Sequence, residues 1–210
     1  MTERQDYRRF PGNWYLPGPD VIKVLLLADM AEKSHVLDIG CGPLRIGRLL
    51  IPFLLPGHYY GLDPEKDLVE EALARELIAD YGEQFVRYKE PAFAYDAHFN
   101  LSRFGDAQFN VAFANQVFCH CGNKQLGECL ESLAPVLAPG GRFLLNIHMA
   151  EEDQEVNKSP ESGGDNYRFA SHRHTFYSPS SFMSLVEKHG YTATNVGSNW
   201  WKLLLTEEDK

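Results

Sequence analysis

The chain has 210 residues, 44% of them hydrophobic and 23% charged, with a formal net charge of -9. That length supports one domain with a substantial core, and the acidic balance argues against a broad face for nucleic-acid phosphates or anionic lipid, both of which require basic surfaces. The N-terminus, MTERQDYRRF, has no apolar run behind its basic residues, so no secretory signal is read there. The most apolar segments, 21–30 and 48–57, are too short and too interrupted to span a bilayer. The expectation is a cytoplasmic protein with no membrane and no nucleic-acid partner.

Residues 1–34 are expected to form an N-terminal helical segment. Its helix is PDVIKVLLLADMA, with Asp20 as N-cap and Val21, Val24, Leu25 and Ala28 on one face. HVLDIG at 35–40 reads as a buried strand, and CGPLRIGRLLIPFL turns into a helix that Pro52 should bend or end early. HYYGLD at 58–63 is a second strand. It is followed by an amphipathic helix over 65–82 closed by Gly82. QFVRYK at 84–89 is the expected third strand and FNVAFANQ at 109–116 the fourth. Residues 124–141 then form a helix with Leu126, Cys129, Leu130, Leu133 and Leu137 in register, stopped by Pro139, Gly140 and Gly141. RFLLNIH at 142–148 is the fifth strand. Residues 149–177 are polar and rich in Ser and Gly, and read as a long surface loop, disordered or a lid. SPSSFMSLVEKHG follows as a helix capped by Ser178, with Pro179 at its first position and Gly190 beyond its end. The strands YTATNVG and WWKLLLTEE complete what reads as a single domain over 1–210. Apolar strands alternating with helices imply an α/β parallel sheet.

The four cysteines, Cys41, Cys119, Cys121 and Cys129, are expected to be reduced thiols. CHCG at 119–122 has neither C-x-x-C spacing nor a second ligand cluster, so these residues read as small buried hydrophobes and no metal site is assigned.

The strand, tight turn and helix start around Gly40 and Gly42 create a cluster of free backbone N–H groups at the top of a sheet. A dinucleotide fingerprint wants a third glycine where Arg45 stands, so a pyrophosphate fits poorly. A ligand without phosphates asks only for close approach at Gly40 and Gly42. Asp38, just before the first glycine, suits a cationic amino group, and Asp63 at the end of the second strand suits ribose hydroxyls. The two acids together describe a ligand with an amino-acid end and a ribose.

VLDIGCGPLRIGRLL, YYGLD, FNVAFANQVFCH and LAPVLAPGGRFLLNIH, in that order over 35–148, resemble a class I S-adenosylmethionine-dependent methyltransferase. The resemblance implies a Rossmann-like seven-stranded, mostly parallel sheet with helices on both faces and the last strand antiparallel. It implies S-adenosylmethionine as cofactor. Asp38, Gly40, Cys41 and Gly42 would meet the methionine portion, and Asp63 the ribose, with Leu62 and Pro64 flanking the adenosine. Asp96, Ala97 and Phe99 in YDAHF correspond to the adenine-holding loop, and Asn115 and Gln116 to backbone contacts beneath the methionine part. Arg45 either reaches the cofactor carboxylate or pairs with a surface acid. Leu44 replaces the last glycine of the family's acid-x-Gly-x-Gly-x-Gly loop.

A base is needed only where the acceptor loses a proton. His148, ending the fifth strand on the ligand side, is the first candidate, and His120 in the turn after the fourth strand is the second. His172 and His174 read as solvated loop residues or parts of a lid. Tyr7, Trp14 and Tyr15 either close over the cofactor or cap the sheet. The expected activity is methyl transfer to oxygen or nitrogen of a small-molecule acceptor. Two alternatives stand beside it: cofactor or partner binding without turnover, and aminopropyl transfer on the same fold, for which the expected aspartate-rich motif is missing at NQVFCH.

Overall fold

A computed structural model describes residues 19–157 and 173–206. Helix α1 spans Pro19–Leu27, strand β1 Val36–Ile39, helix α2 Gly47–Phe53 and strand β2 Tyr59–Leu62. Pro52 sits in the last turn of α2, which ends one residue later. Helix α3, Lys66–Ala72, runs through a π-helical stretch, Leu73–Ile78, into α4, Ala79–Tyr81, where Gly82 at φ +86° stops it. Helix α5 is Glu83–Lys89 and strand β3 is Ala92–Ala94. Strand β4 is Phe109–Ala114, helix α6 Asn123–Leu133 and strand β5 Leu137–Asn146. Then come β6 (His148–Met149), β7 (Gln154–Asn157), β8 (Arg173–Tyr177), α7 (Pro179–Lys188), β9 (Tyr191–Gly197) and β10 (Trp200–Leu205).

Seven strands form one sheet in the order β3-β2-β1-β4-β5-β10-β9. The pairs β2/β3, β1/β2, β1/β4 and β4/β5 are parallel, and β10 runs antiparallel to both neighbours. This is the Rossmann-like sheet with an antiparallel last strand expected from the sequence. Side chains alternate across it. Leu37 and Ile39 face a core containing Leu126 and Leu130 of α6 and Phe182 of α7. Val36 and Tyr59 face a second core containing Leu25 of α1, Leu50 of α2 and Val69 of α3. Strand order reverses between β1 and β4, which opens a crevice at their carboxyl ends.

Four expectations are corrected. QFVRYK is helical, because Glu83 and Arg87 pair at 3.3 Å one turn apart and Arg87 and Lys89 sit in the last turn, where the helix dipole favours cations. The third strand is the three-residue AFA beyond it. Leu137 does not extend α6. A 3-10 turn at Ala134–Val136, with Pro135 inside it, ends the helix and Leu137 already belongs to β5. The segment Pro139–Gly141 is a bulge within that strand, where a Cβ on Gly141 would meet the Ala138 and Phe109 carbonyl oxygens at 2.7 Å. Finally, 149–177 is not all loop. Strand β8 pairs parallel to β6 and antiparallel to β7 in a three-stranded sheet. Tyr177, fully buried, anchors that sheet through its hydroxyl, which donates to the Cys121 carbonyl. Residues 158–172 of that segment lie outside the described residues. No helix among the described residues is long and apolar enough to cross a membrane.

Candidate functional site

The crevice between β1 and β4 holds a cavity of about 270 Å³. Its floor is the turn from β1 into α2. Gly40 and Gly42 both take positive φ, +72° and +48°, and a Cβ on Gly40 would clash with Val117 Cγ2. Leu44, in the position of the missing glycine, also adopts a left-handed φ of +54°. Its side chain is fully buried among the apolar residues of α1 and α2, and that burial offsets a backbone cost of about 1–2 kcal/mol. The turn keeps its shape without the glycine.

Two buried carboxylates flank this turn. Asp38 is 3% exposed and accepts a hydrogen bond from the Tyr59 hydroxyl at 2.8 Å. Burial raises it to about 7, with the nearby Asp63 charge adding to the shift against the Tyr59 hydrogen bond. Asp63 accepts from the Gly42 and Glu65 amides at 2.8 and 2.9 Å. Burial nonetheless raises it to about 6. Between them, the Cys41 thiol is pushed well up, by burial first and then by the two acids.

Leu62 and Pro64 line the cavity beside Asp63, and Arg45 lines it next to the glycine turn. Asp96, Ala97 and Phe99 form a further wall. The Asp96 carboxylate is tied into its own loop. It accepts from the His98 and Asn100 amides at 2.7 and 3.2 Å and pairs with Arg103 at 3.2 Å. Against a desolvation penalty, these partners hold it below the usual carboxylate range. Asn115 and Gln116 line the opposite side, past the end of β4. Gln116 sits at φ +60°, and its amide donates to Asn146 Oδ1 at 2.6 Å while Asn146 Nδ2 donates to Asn115 Oδ1 at 3.1 Å. Asn146, at the end of β5, therefore clamps the chain as it leaves β4.

All thirteen residues assigned to the cofactor from the sequence border this one cavity, and so does His120. His148 does not. Strand β5 ends at Asn146, and the Ile147 amide bonds to the Asn199 carbonyl at 3.1 Å. His148 is thereby carried into the small sheet, its ring 5.7 Å from that of Phe176. His148 therefore stands off the cavity wall that His120 lines. Tyr7, Trp14, Tyr15, His172 and the side chain of His174 lie outside the described residues. Val117, Cys121 and Gln125 also line the cavity. Val117 and Cys121 lie in stretches the sequence singled out, FNVAFANQVFCH and CHCG, but nothing in those patterns aimed them at the crevice, and Gln125 at the start of α6 reaches it only through the fold. Among the described residues no group of three or more His, Cys, Asp or Glu side chains could hold a metal ion, and burial raises the Cys121 thiol to about 12.

A family model described as "Methyltransferase domain" matches residues 37–143, just over half of the chain. The chain belongs to this methyltransferase domain family. The match runs from β1 through most of β5, the strands that frame the crevice. Solved structures share the fold. The glycopeptide N-methyltransferase MtfA, complexed with S-adenosylmethionine, superposes with a TM-score of 0.65 at 13% identity, covering 92% of this chain and 96% of that one. Magnesium protoporphyrin IX methyltransferase from Synechocystis PCC 6803, with bound S-adenosylmethionine, gives 0.61 at 16%, covering 98% and 92%. An S-adenosylmethionine-dependent methyltransferase from Clostridium acetobutylicum ATCC 824 gives 0.57 at 12%, covering 89% of each chain.

Proposed function

We propose that this methyltransferase domain binds S-adenosylmethionine in the crevice and transfers its methyl group to oxygen or nitrogen of a small-molecule acceptor, as a single domain working in the cytoplasm. The observation that carries the reading is the pair of buried carboxylates, Asp38 and Asp63, on either side of a glycine turn in one cavity. Neighbours of the same fold solved with S-adenosylmethionine bound support the choice of ligand.

The residues present fit such a ligand. Asp38 accepts one hydrogen bond, at Oδ2, and is the acid suited to an ammonium group. Asp63 gives one lone pair from each oxygen to a backbone amide, which leaves the others for ribose hydroxyls. Gly40 and Gly42 present backbone without Cβ where the methionine portion would pass, and Arg45 is the cation for its carboxylate. Leu62, Pro64, Ala97 and Phe99 give apolar surface for adenine. Asp96 shapes that wall through its own loop, and its Oδ2, which accepts only from Arg103, keeps a lone pair for a ligand donor.

When bound, the cofactor supplies a methyl group activated on a sulfonium centre. The protein's task is then to align donor and acceptor and keep water out. Asn115 and Gln116, fixed by Asn146, hold one wall of the cavity. His120 is the one imidazole on the cavity wall among the described residues, its amide bonded to the Val117 carbonyl at 2.9 Å. It is the group suited to take a proton from an amine or hydroxyl acceptor. The excess of acid over base in this cavity favours a cationic ligand.

Calorimetric titration with S-adenosylmethionine and S-adenosylhomocysteine tests the reading. Saturable one-to-one binding of either is expected, followed by label transfer from isotopic S-adenosylmethionine to members of a small amine and alcohol panel. Absence of binding by both compounds would refute it.

A further inference from the structure

Tyr59 is 1% exposed at the start of β2, in the core face that also carries Val36. Phenylalanine would fill the same space without burying a hydroxyl. The register explains what the hydroxyl reaches. Tyr59 lies opposite Val36 and Gly61 lies opposite Asp38, so Tyr59 and Asp38 are diagonal neighbours on one face. The phenol leans along the sheet and donates to Asp38 Oδ2 at 2.8 Å. A second residue keeps that path open. Gly47, the first residue of α2, abuts the hydroxyl, and a Cβ there would meet it at 2.5 Å. The wall of α2 is therefore cut back at the one point where the phenol oxygen sits.

We infer that Tyr59 is a positioning residue of the candidate site: its hydroxyl orients the Asp38 carboxylate and favours its charged form, so that Asp38 can pair with the ammonium group of an amino-acid-bearing ligand at neutral pH. This rests on the reading of Asp38 given above. Around Asp38, the turn contributes Cys41 and Arg45 and β2 contributes Tyr59 and Asp63, while β4 places the neutral Phe113 opposite. Burial and the Asp63 charge both disfavour an ionised Asp38, and the Tyr59 hydrogen bond acts against them. Removing that bond leaves the carboxylate protonated to a higher pH.

S-adenosylhomocysteine is titrated into the wild type, Tyr59→Phe, Gly47→Ala and Asp38→Asn between pH 6 and pH 8.5. Wild-type affinity should fall as the pH drops through about 7, in proportion to the ionised fraction of Asp38. Losing the hydroxyl should raise the midpoint by about one pH unit. The deficit of Tyr59→Phe is then about tenfold at pH 6, about fivefold at pH 7 and less than twofold at pH 8.5. Gly47→Ala, which displaces the hydroxyl, should weaken binding with the same pH signature. Asp38→Asn should bind weakly and without this titration. A Tyr59→Phe deficit that is constant with pH, or no deficit, would overturn the inference, as would an Asp38→Asn variant that keeps the wild-type profile. If Tyr59→Phe does not fold, an NMR titration of the Asp38 carboxyl carbon in wild type and Gly47→Ala decides. An unmoved midpoint overturns the inference and a raised one supports it. A wild type that binds at no pH instead refutes the proposed function.

Discussion

Gly40 and Gly42 have the same role by sequence, yet the structure gives them different surroundings, and replacing each by alanine separates two costs. Both take positive φ, so each alanine incurs about 1–2 kcal/mol of left-handed strain, partly offset by about 0.4–1 kcal/mol from a stiffer unfolded chain. At Gly42 the new methyl meets Asp63 Oδ2 and the Gly40 carbonyl oxygen, both at 3.9 Å and both ordinary contacts, so Gly42→Ala should cost roughly 1 kcal/mol. At Gly40 the methyl would clash with Val117 Cγ2, and overpacking adds about 1–3 kcal/mol. Gly40→Ala should therefore cost roughly 2–4 kcal/mol. Urea unfolding of both variants, of Val117→Ala and of Gly40→Ala/Val117→Ala measures this directly. The double variant should be less destabilised than the sum of the singles by about 1–2 kcal/mol, because removing Val117 Cγ2 relieves the clash but not the strain. Additive single costs, or a Gly42→Ala variant as unstable as Gly40→Ala, would refute the reasoning.

Asn146→Ala strands the Gln116 amide in a left-handed turn at the cavity wall. It should destabilise the fold by about 1–3 kcal/mol and weaken S-adenosylhomocysteine binding several-fold; calorimetry showing unchanged affinity would remove the clamp from the site. Asp38 lies at about 7 and Asp63 at about 6 in the fold, against 3.8 unfolded. The folded chain therefore binds more protons than the unfolded one between roughly pH 4 and pH 7, and stability falls as the pH rises through that window. Asp38→Asn should gain roughly 2–3 kcal/mol over wild type between pH 5 and pH 8 in ligand-free urea midpoints. The lowered His35 acts alike in both proteins and cancels.

The glycine turn with its two acids was legible because its signals are local. A carboxylate on an otherwise apolar strand and two glycines two residues apart need no tertiary contact to be noticed. The third strand was misread because AFA is too short to carry a pattern, while Phe85 and Val86 in the neighbouring helix imitate a strand. That His148 stands in the small sheet and off the cavity wall was not legible, because strand length alone does not say where the chain leaves the sheet. That exit follows from the pairing of Trp200 with Asn146 and the Asn199 carbonyl beyond it. Tyr59 and Asn146 were passed over for a related reason. Each looks like ordinary strand content until the register puts Tyr59 beside Asp38 and Asn146 beside Gln116.

The sequence by itself determined the alternation of strands and helices, the position of the ligand-binding turn and the acids that flank it, since hydrophobic period and backbone conformational preference act over a few residues. Tertiary structure decided the strand order that opens the crevice, the packing that holds Leu44 in a left-handed turn without glycine, and which polar side chains meet across the sheet. These depend on distances between residues thirty or more positions apart in the chain, such as Asn146 and Gln116 or Val36 and Val111, which no local pattern encodes.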